Sequence, residues 1–436
     1  MEKIIVLCLF ILTYVLIIAF SNYKTWTTGA VALVTALFLI IFGNTEYGFL
    51  ETLKSIKYDV VFMLAGIMIT VGVFADSGMP NKIANKLMSK MPSAIMAVVT
   101  VSLLSGLISA FVDNVATVLM LAPIGMAIAK KIKVSPIPVL ISIAVSSNLQ
   151  GAATLIGDTT SIMLADAAGM SFFDFFVYKG RPSIFFAVEL GALVTIPVLM
   201  FIFRKNKEKL SFESEMVEVK SLLPTIMLLL NMGLLVCTSF VNLDIFLFGK
   251  SIINGVICLV CGVVTLLVYC LQKKGSALKI AKDSFDYQTV LFLIFLFIII
   301  GCVENVGIIK DLANLFASIG SQNVFLLYTV IVFASVILSA FIDNIPYVAT
   351  MLPVISGLSG SFSSEITVAL YFGLLIGATL GGNITPFGAS ANVVGIGILR
   401  KAGFEVKNSD FFKIGIPFTI VAVLTGYLFT WFVWAI

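Results

Sequence analysis

Ser109-Ala110-Phe111-Val112-Asp113-Asn114 returns 230 residues later as Ser339-Ala340-Phe341-Ile342-Asp343-Asn344, and each copy sits inside a long apolar block. An aspartate at hydrocarbon depth costs at least about 2.5–3.5 kcal/mol at a helix centre, so two of them in matching places are functional candidates by default. The match extends outward in both directions. Tyr58 pairs with Tyr287, Gly78 with Gly307, Pro123 with Pro353, and Gly151-x-x-Thr154-x-x-Gly157 with Gly382-x-x-Thr385-x-x-Gly388. The chain reads as a duplication whose repeated unit carries polar chemistry as well as hydrophobicity.

The 436 residues are 60% hydrophobic and 11% charged, with a mean hydropathy of +1.12. A soluble chain carries about 25% charged residues, so lipid is the expected solvent and the chain reads as an integral membrane protein. There is no histidine. That excludes Ser-His-Asp and Cys-His nucleophiles, histidine metal sites and imidazole relays, and leaves ionisable work to Asp, Glu and Lys. No enzyme chemistry and no cofactor are expected. A net charge of +4 with three arginines, Arg181, Arg204 and Arg400, gives no basic surface for nucleic acid. The six cysteines fall almost entirely in apolar runs, and Cys258-x-x-Cys261 lacks a second pair, so both read as packing residues. Lys3 before the apolar run Ile4–Phe20 imitates a signal peptide, but the run is long and lacks a small-residue cleavage site. A retained first helix is expected.

A membrane span needs about 20 apolar residues. The segments 4–20, 28–43, 59–77, 183–203, 221–240, 251–271, 288–306 and 416–435 qualify. Two longer blocks, 94–170 and 324–400, are each interrupted twice, at Asp113-Asn114 and Asn148–Asp158, and at Asp343-Asn344 and Gly381–Asn392. Polar backbone at that depth is tolerated only inside protein or along a cavity. Each block is therefore predicted to form a re-entrant hairpin (about 94–129 and 324–357) followed by a broken spanning helix (about 136–170 and 366–400). The expected fold is an all-α polytopic membrane protein with ten spans and two hairpins, divided into a first repeat 1–203, a linker 204–220 and a second repeat 221–436. Five spans per repeat turn the second half over, giving the inverted repeats of secondary transporters. With the N-terminus outside, the loops 21–27, 78–93, 129–135, 204–220, 272–287 and 400–413 hold 20 of the 27 Lys and Arg. The positive-inside rule then makes those loops cytoplasmic and puts both termini outside a cell membrane.

Each hairpin tip places Asp-Asn where one helix ends and another begins. The free N–H groups and carbonyls there can hold an ion of either sign, or the aspartate can simply cap the second arm. Asp113, Asn114, Thr117, Asp343 and Asn344 are the candidates at the tips, with Na⁺ a possible ligand of the two Asp-Asn pairs. The broken helices add Asn148, Gly151, Thr154 and Asp158 in the first half and Gly382, Asn383, Thr385, Ser390 and Asn392 in the second. Their glycines let backbone unwind towards a ligand, and their neutral oxygens suit Na⁺; close helix packing through small residues is the plainer alternative. Asp158 corresponds to Ala389, so the halves differ by one acid, and neither pair of motifs contains Lys or Arg. Three carboxylates without a basic partner are expected to bind a cation or a proton. Asp76, Glu189 and Glu304 are secondary candidates.

These motifs, SAFVDNVAT (109–117), GAATLIGD (151–158), SAFIDNIPYVATMLP (339–353) and GGNITPFGASANVVG (381–395), resemble the ion transporter superfamily of citrate-transporter-like, arsenite-permease and NhaD-like proteins. The similarity is greatest to the P protein (pink-eyed dilution) branch and covers about residues 25–435. It implies an elevator, in which a transport domain of hairpins and broken helices slides against a scaffold, as a homodimer in the bilayer. Where symporters of the superfamily carry Ser-Asn-Thr, this chain has Asp113-Asn114-Val115 and Asp343-Asn344-Ile345. The expectation is a secondary active transporter of a small ion coupled to Na⁺ or H⁺, with Na⁺/H⁺ antiport ahead of permeation of a small anion such as a carboxylate, chloride or arsenite. A channel is the reading outside that class.

Overall fold

A computed structural model describes residues 2–20, 23–43, 47–88, 91, 93–131, 133–204, 218–241, 245–272, 279, 282 and 285–436. Most of the 204–220 linker and part of the 272–287 loop lie outside them. The helices of the first half are α1 (Glu2–Ala19), α2 (Lys24–Phe42), α3 (Phe49–Ser55), α4 (Tyr58–Asp76), α5 (Met79–Met88), α6 (Ala94–Ser109), α7 (Asn114–Lys131), α8 (Pro136–Gly151), α9 (Thr159–Ala168) and α10 (Ile184–Ile202). Those of the second are α11 (Leu223–Thr238), α12 (Ile253–Gln272), α13 (Tyr287–Asn305), α14 (Ile308–Gln322), α15 (Val324–Ser339), α16 (Asn344–Leu358), α17 (Ser364–Gly381), α18 (Ser390–Lys401) and α19 (Asn408–Thr430). Two antiparallel ribbons, Val177–Tyr178 with Arg181–Pro182 and Phe246–Leu247 with Lys250–Ser251, are the β-structure among the described residues.

Nine described helices are long and apolar enough to cross a membrane. That set differs from the ten expected spans in an informative way. It includes α7, which is the second arm of a hairpin, and omits both α11, only 16 residues long, and the pair α8/α9, whose break leaves each piece too short. Length and hydropathy alone do not distinguish a hairpin arm from a span.

Local chemistry sets the turns. Ser93 and Asn323 cap the first arms of the two hairpins, their side chains accepting from the N–H groups of Met96 and Leu326. Ser135 and Ser363 cap the helices that follow, α8 and α17. Gly78 and Gly307, matched in sequence, both adopt left-handed backbone, φ +78° and +79°, just after α4 and α13. Only glycine takes that conformation without strain.

The halves interlock. Helix α4 of the first half packs along α12 of the second, and α13 of the second packs along α2 of the first. Cys258 and Cys261 are buried free thiols on α12, as expected of packing residues. Each hairpin lies against its own broken helix, α6 and α7 on α8, α15 and α16 on α17, and α18 crosses back to α7 and α8. Helices α8 and α17 are buried on nearly every face, while α1 and α2 expose apolar side chains outward. Polar side chains are kept on buried inner helices and apolar ones face outward, as a lipid solvent requires.

Candidate functional site

The two hairpin tips and the two helix breaks converge. Asp113 Oδ1 accepts from the N–H groups of Val115 and Ala116, at 2.9 and 3.1 Å, and Asp343 Oδ1 accepts from Ile345 at 3.3 Å. Both aspartates therefore cap the second arm of their hairpin. Asp158 and Ala389, the residues before the second pieces of the broken helices, share extended backbone, φ/ψ −143°/149° and −141°/142°. Neither uses its side chain as a cap. The Asp158 carboxylate is 8% exposed and accepts from Thr160 Oγ1 at 2.8 Å, with Asn344 Nδ2 at 3.5 Å.

A ladder of amides runs beneath them. Asn114 donates to Asn148 Oδ1 at 3.3 Å, Asn148 to Asn383 Oδ1 at 3.0 Å and to the Thr379 carbonyl at 2.7 Å, and Asn383 to the Val145 carbonyl at 2.9 Å. Ser109 donates to Asn114 Oδ1 at 2.6 Å and Ser147 to Ser109 at 3.0 Å. A Cβ on Gly151 would lie 2.2 Å from Asn114 Oδ1, so glycine makes room for that amide.

A cavity of about 500 Å³ opens onto this assembly. Asp113, Asn114, Asn148, Asp158, Thr159, Asn344 and Ser390 line it, with Met68 to Ala75 of α4 opposite and Asp286 and Thr289 at its rim. No Lys or Arg is among its lining residues. No group of three His, Cys, Asp or Glu side chains converges anywhere among the described residues, so a cation here would rest on at most two carboxylates and on neutral oxygens.

Two expectations need correction. Asp343 does have a basic partner. Lys24, in the first turn of α2, places Nζ 2.7 Å from Asp343 Oδ2, so the unpaired acids at the tips and breaks are Asp113 and Asp158. The sequence could not show it, because a lysine flanking an apolar stretch reads as an ordinary loop charge. Thr154 and Thr385 are also not among the residues that line the cavity. Their hydroxyls donate to the carbonyls of Ala110 and Ala340, the ends of the hairpins' first arms. Asn392 bonds within its own break, to the carbonyls of Gly382 and Thr385, and Thr117 to the Val112 carbonyl. Thr154 and Thr385 hold the tips against the broken helices, Asn392 and Thr117 brace their own segments, and Asp113, Asn114, Asn148, Asp158, Asn344 and Ser390 face the cavity. Gly382 lies inside the second break, where a Cβ would meet the Gly388 carbonyl at 2.7 Å.

Among the secondary candidates, Asp76 is engaged by Lys220 at 2.9 Å and Tyr269 at 2.6 Å, away from the cavity. Glu189 is half-buried in α10 with Oε1 lacking a hydrogen-bond partner among the described residues. Glu304 belongs to a second cavity of about 540 Å³, built from segments of both halves and lined by Lys57, Asp166, Lys250, Glu304 and Lys310 among others. Lys57 pairs with Asp166 at 2.9 Å. This second cavity reaches neither hairpin tip.

The model of the citrate transporter family matches residues 9–372. The "46 kDa membrane protein" of Mycobacterium leprae is 30% identical over 98% of both chains, and an uncharacterised transporter of Mycobacterium tuberculosis matches equally well over 98% of both. The human P protein is 24% identical over 95% of this chain, which spans 58% of that protein. Among solved structures, the Alcanivorax borkumensis YdaH transporter shares the fold with a TM-score of 0.60 at 13% identity, covering 99% and 98% of the two chains. The Neisseria gonorrhoeae MtrF structure, described as illuminating a class of antimetabolite efflux pumps, aligns with a TM-score of 0.56 at 13% identity over 93% and 95%. The resemblance read from the paired motifs is borne out, and so is an all-α membrane fold.

Proposed function

The chain belongs to the citrate transporter family, and from that premise we propose that it is a secondary active transporter coupled to Na⁺ or H⁺, with exchange of Na⁺ for H⁺ as the leading mode. The cavity carries the proposal: Asp113 and Asp158 line it together with amides and hydroxyls, and no Lys or Arg pairs with either among the described residues. Bare carboxylates facing a membrane cavity demand a cation or a proton, because the alternative is an uncompensated charge in low dielectric. Asp113 and Asp158 are the proposed ligands, Asn114, Asn148, Asn344 and Ser390 the neutral oxygens. The chain itself brings in no cofactor. On the charge bias of the loops, the acidic cavity faces the cytoplasm and both termini lie outside.

The same loops bear on the cycle. Only one of the two cavities reaches the tips, as a carrier open to one side requires. Movement of the hairpins and broken helices against α1, α2, α4, α11, α12 and α13, in each protomer of a homodimer, would present the site to the other side. A second reading has its own support. Helices α7, α9, α16 and α18 all begin at the site, and their N-terminal dipoles favour an anion. A small carboxylate entering with the cation would satisfy both.

Proteoliposomes loaded with a pH-sensitive dye test the proposal. An imposed Na⁺ gradient is expected to move protons in wild type and not in Asp113→Asn or Asp158→Asn. If the gradient moves no protons and drives no citrate or chloride uptake, cation coupling is excluded.

A further inference from the structure

Lys24 is the one place where α2 offers a charge to a hairpin tip among the described residues. Its Nζ lies 2.7 Å from Asp343 Oδ2 and 5.2 Å from the centre of the Phe292 ring on α13. Asp343 Oδ1 already accepts from the Ile345 N–H, so both oxygens of this carboxylate are engaged. At Asp113, the equivalent residue, Oδ1 caps α7 in the same way, yet no Lys or Arg pairs with it among the described residues. One tip carboxylate holds a cation that belongs to the protein; the other faces the cavity without one.

The two ends of the pair belong to different bodies. Lys24 is carried by α2, which is fixed along α13, with Thr25 Oγ1 donating to the Gln288 carbonyl at 3.1 Å. Asp343 is carried by the second hairpin, which is fixed to α17 and its break by Ser339 donating to the Ala378 carbonyl and Thr385 to that of Ala340. Between α1–α2 and this tip the hydrogen bonds among the described residues all use a side chain: Lys24 to Asp343, and Tyr14 to the Pro346 carbonyl and Thr350 hydroxyl. Such bonds can part without unravelling a helix. The ion pair is also reachable, with 28% and 16% of the two side chains exposed.

We infer that the Lys24 ammonium is a tethered stand-in for the transported cation at Asp343, so that lysine and a monovalent cation, or a proton, occupy this carboxylate in turn. While the hairpin rests against α2, Lys24 displaces the cation and so favours its release. When the hairpin leaves α2, a bare carboxylate would be stranded at membrane depth, and the move is favourable only once a cation or proton has replaced the lysine. Lys24 left behind still has an acid near it, because Asp286, at the start of α13, acts on it electrostatically. The device links the protein's position to its load, which is what an exchanger needs to avoid leaking. This inference rests on the cation-coupled reading of the site.

The test uses the full chain purified in detergent, with its thermal midpoint followed against NaCl at constant ionic strength balanced by choline chloride. Lys24→Gln is expected to tighten the apparent Na⁺ affinity by about tenfold, equivalent to about 1.4 kcal/mol. Lys24→Arg, which keeps the charge, stays near wild type, and Asp343→Asn in the Lys24→Gln background removes the gain. The same series titrated with LiCl, KCl and acid covers other cations. If Asp113→Asn and Asp158→Asn weaken cation binding but Lys24→Gln leaves it unchanged, the stand-in role is wrong and the cation site survives. If no variant and no cation moves the midpoint, both readings fall together.

Discussion

The two hairpins carry the same Asp-Asn tip and differ in what surrounds it. In the first half Asp113 opens onto an acidic cavity beside Asp158; in the second, Asp343 is closed by Lys24 and the position equivalent to Asp158 is Ala389. The cavities diverge in the same sense. The one at the tips is lined by acids without Lys or Arg, and its counterpart by Lys57, Lys250 and Lys310 with two acids. The two halves present equivalent Asp-Asn tips and differ in the side chains around them, and on the proposed exchange of ions that difference would give the tips unequal jobs. An exchanger needs such inequality, because two identical carboxylates would load and unload together.

The largest expected effect falls on the open half. Asp113→Asn or Asp158→Asn should weaken Na⁺ binding by roughly a hundredfold, about 3 kcal/mol, measured as the NaCl dependence of the thermal midpoint, and abolish Na⁺-driven proton flux in liposomes. Asp343→Asn should cost clearly less at the binding step, since Lys24 already competes there. Equal losses at Asp113 and Asp343 would erase the distinction between the tips. Next comes Gly151→Ala, whose new Cβ would sit 2.2 Å from Asn114 Oδ1. Displacing that amide should destabilise the protein by about 1–3 kcal/mol and reduce flux, both visible as a lowered thermal midpoint and slower transport.

Ala389→Asp would restore the acid that the second half lacks. Ala389 is 2% exposed, so the new carboxylate should lower the thermal midpoint in choline chloride, by an amount on the order of 2–3 kcal/mol, and NaCl should recover part of it. A midpoint indifferent to NaCl would mean that the second break is not built to hold a cation. The smallest effect is expected in the basic cavity. Lys57→Gln breaks a half-exposed pair with Asp166, and flux should change by less than about fivefold, or about 1 kcal/mol.

The sequence made the frame legible because hydropathy and the repeated motif report on different things. Apolar length found the spans, and the polar interruptions located the hairpins and breaks that length alone would have merged or miscounted, as α7 and α11 demonstrate. Asp113, Asp158, Asn148 and Asn344 were legible because polar residues in apolar text are conspicuous. Thr154 and Thr385 read as ion ligands and as helix braces alike, because a threonine among glycines has the same spelling whether its hydroxyl meets a ligand or a helix end. Lys24 and Asp286 were hidden for the opposite reason. Both sit at the ends of apolar runs, where charge is ordinary, and only the packing of α2 and α13 sets Lys24 against the second tip and Asp286 at the edge of the cavity.

The amide ladder has a consequence for how the molecule is made. Asn148 reaches Thr379 and Asn383, and Asn383 reaches back to Val145, so residues separated by more than half the chain satisfy each other at the centre of the fold. When the first half leaves the ribosome, Asn148 can accept from Asn114 but its Nδ2 lacks the Thr379 and Asn383 acceptors, in a bilayer that cannot replace them. Its completion waits for the second half to be inserted. The halves are then products of one synthesis that mature together, and a truncated first half should be a substrate for membrane quality control, however well its individual helices insert.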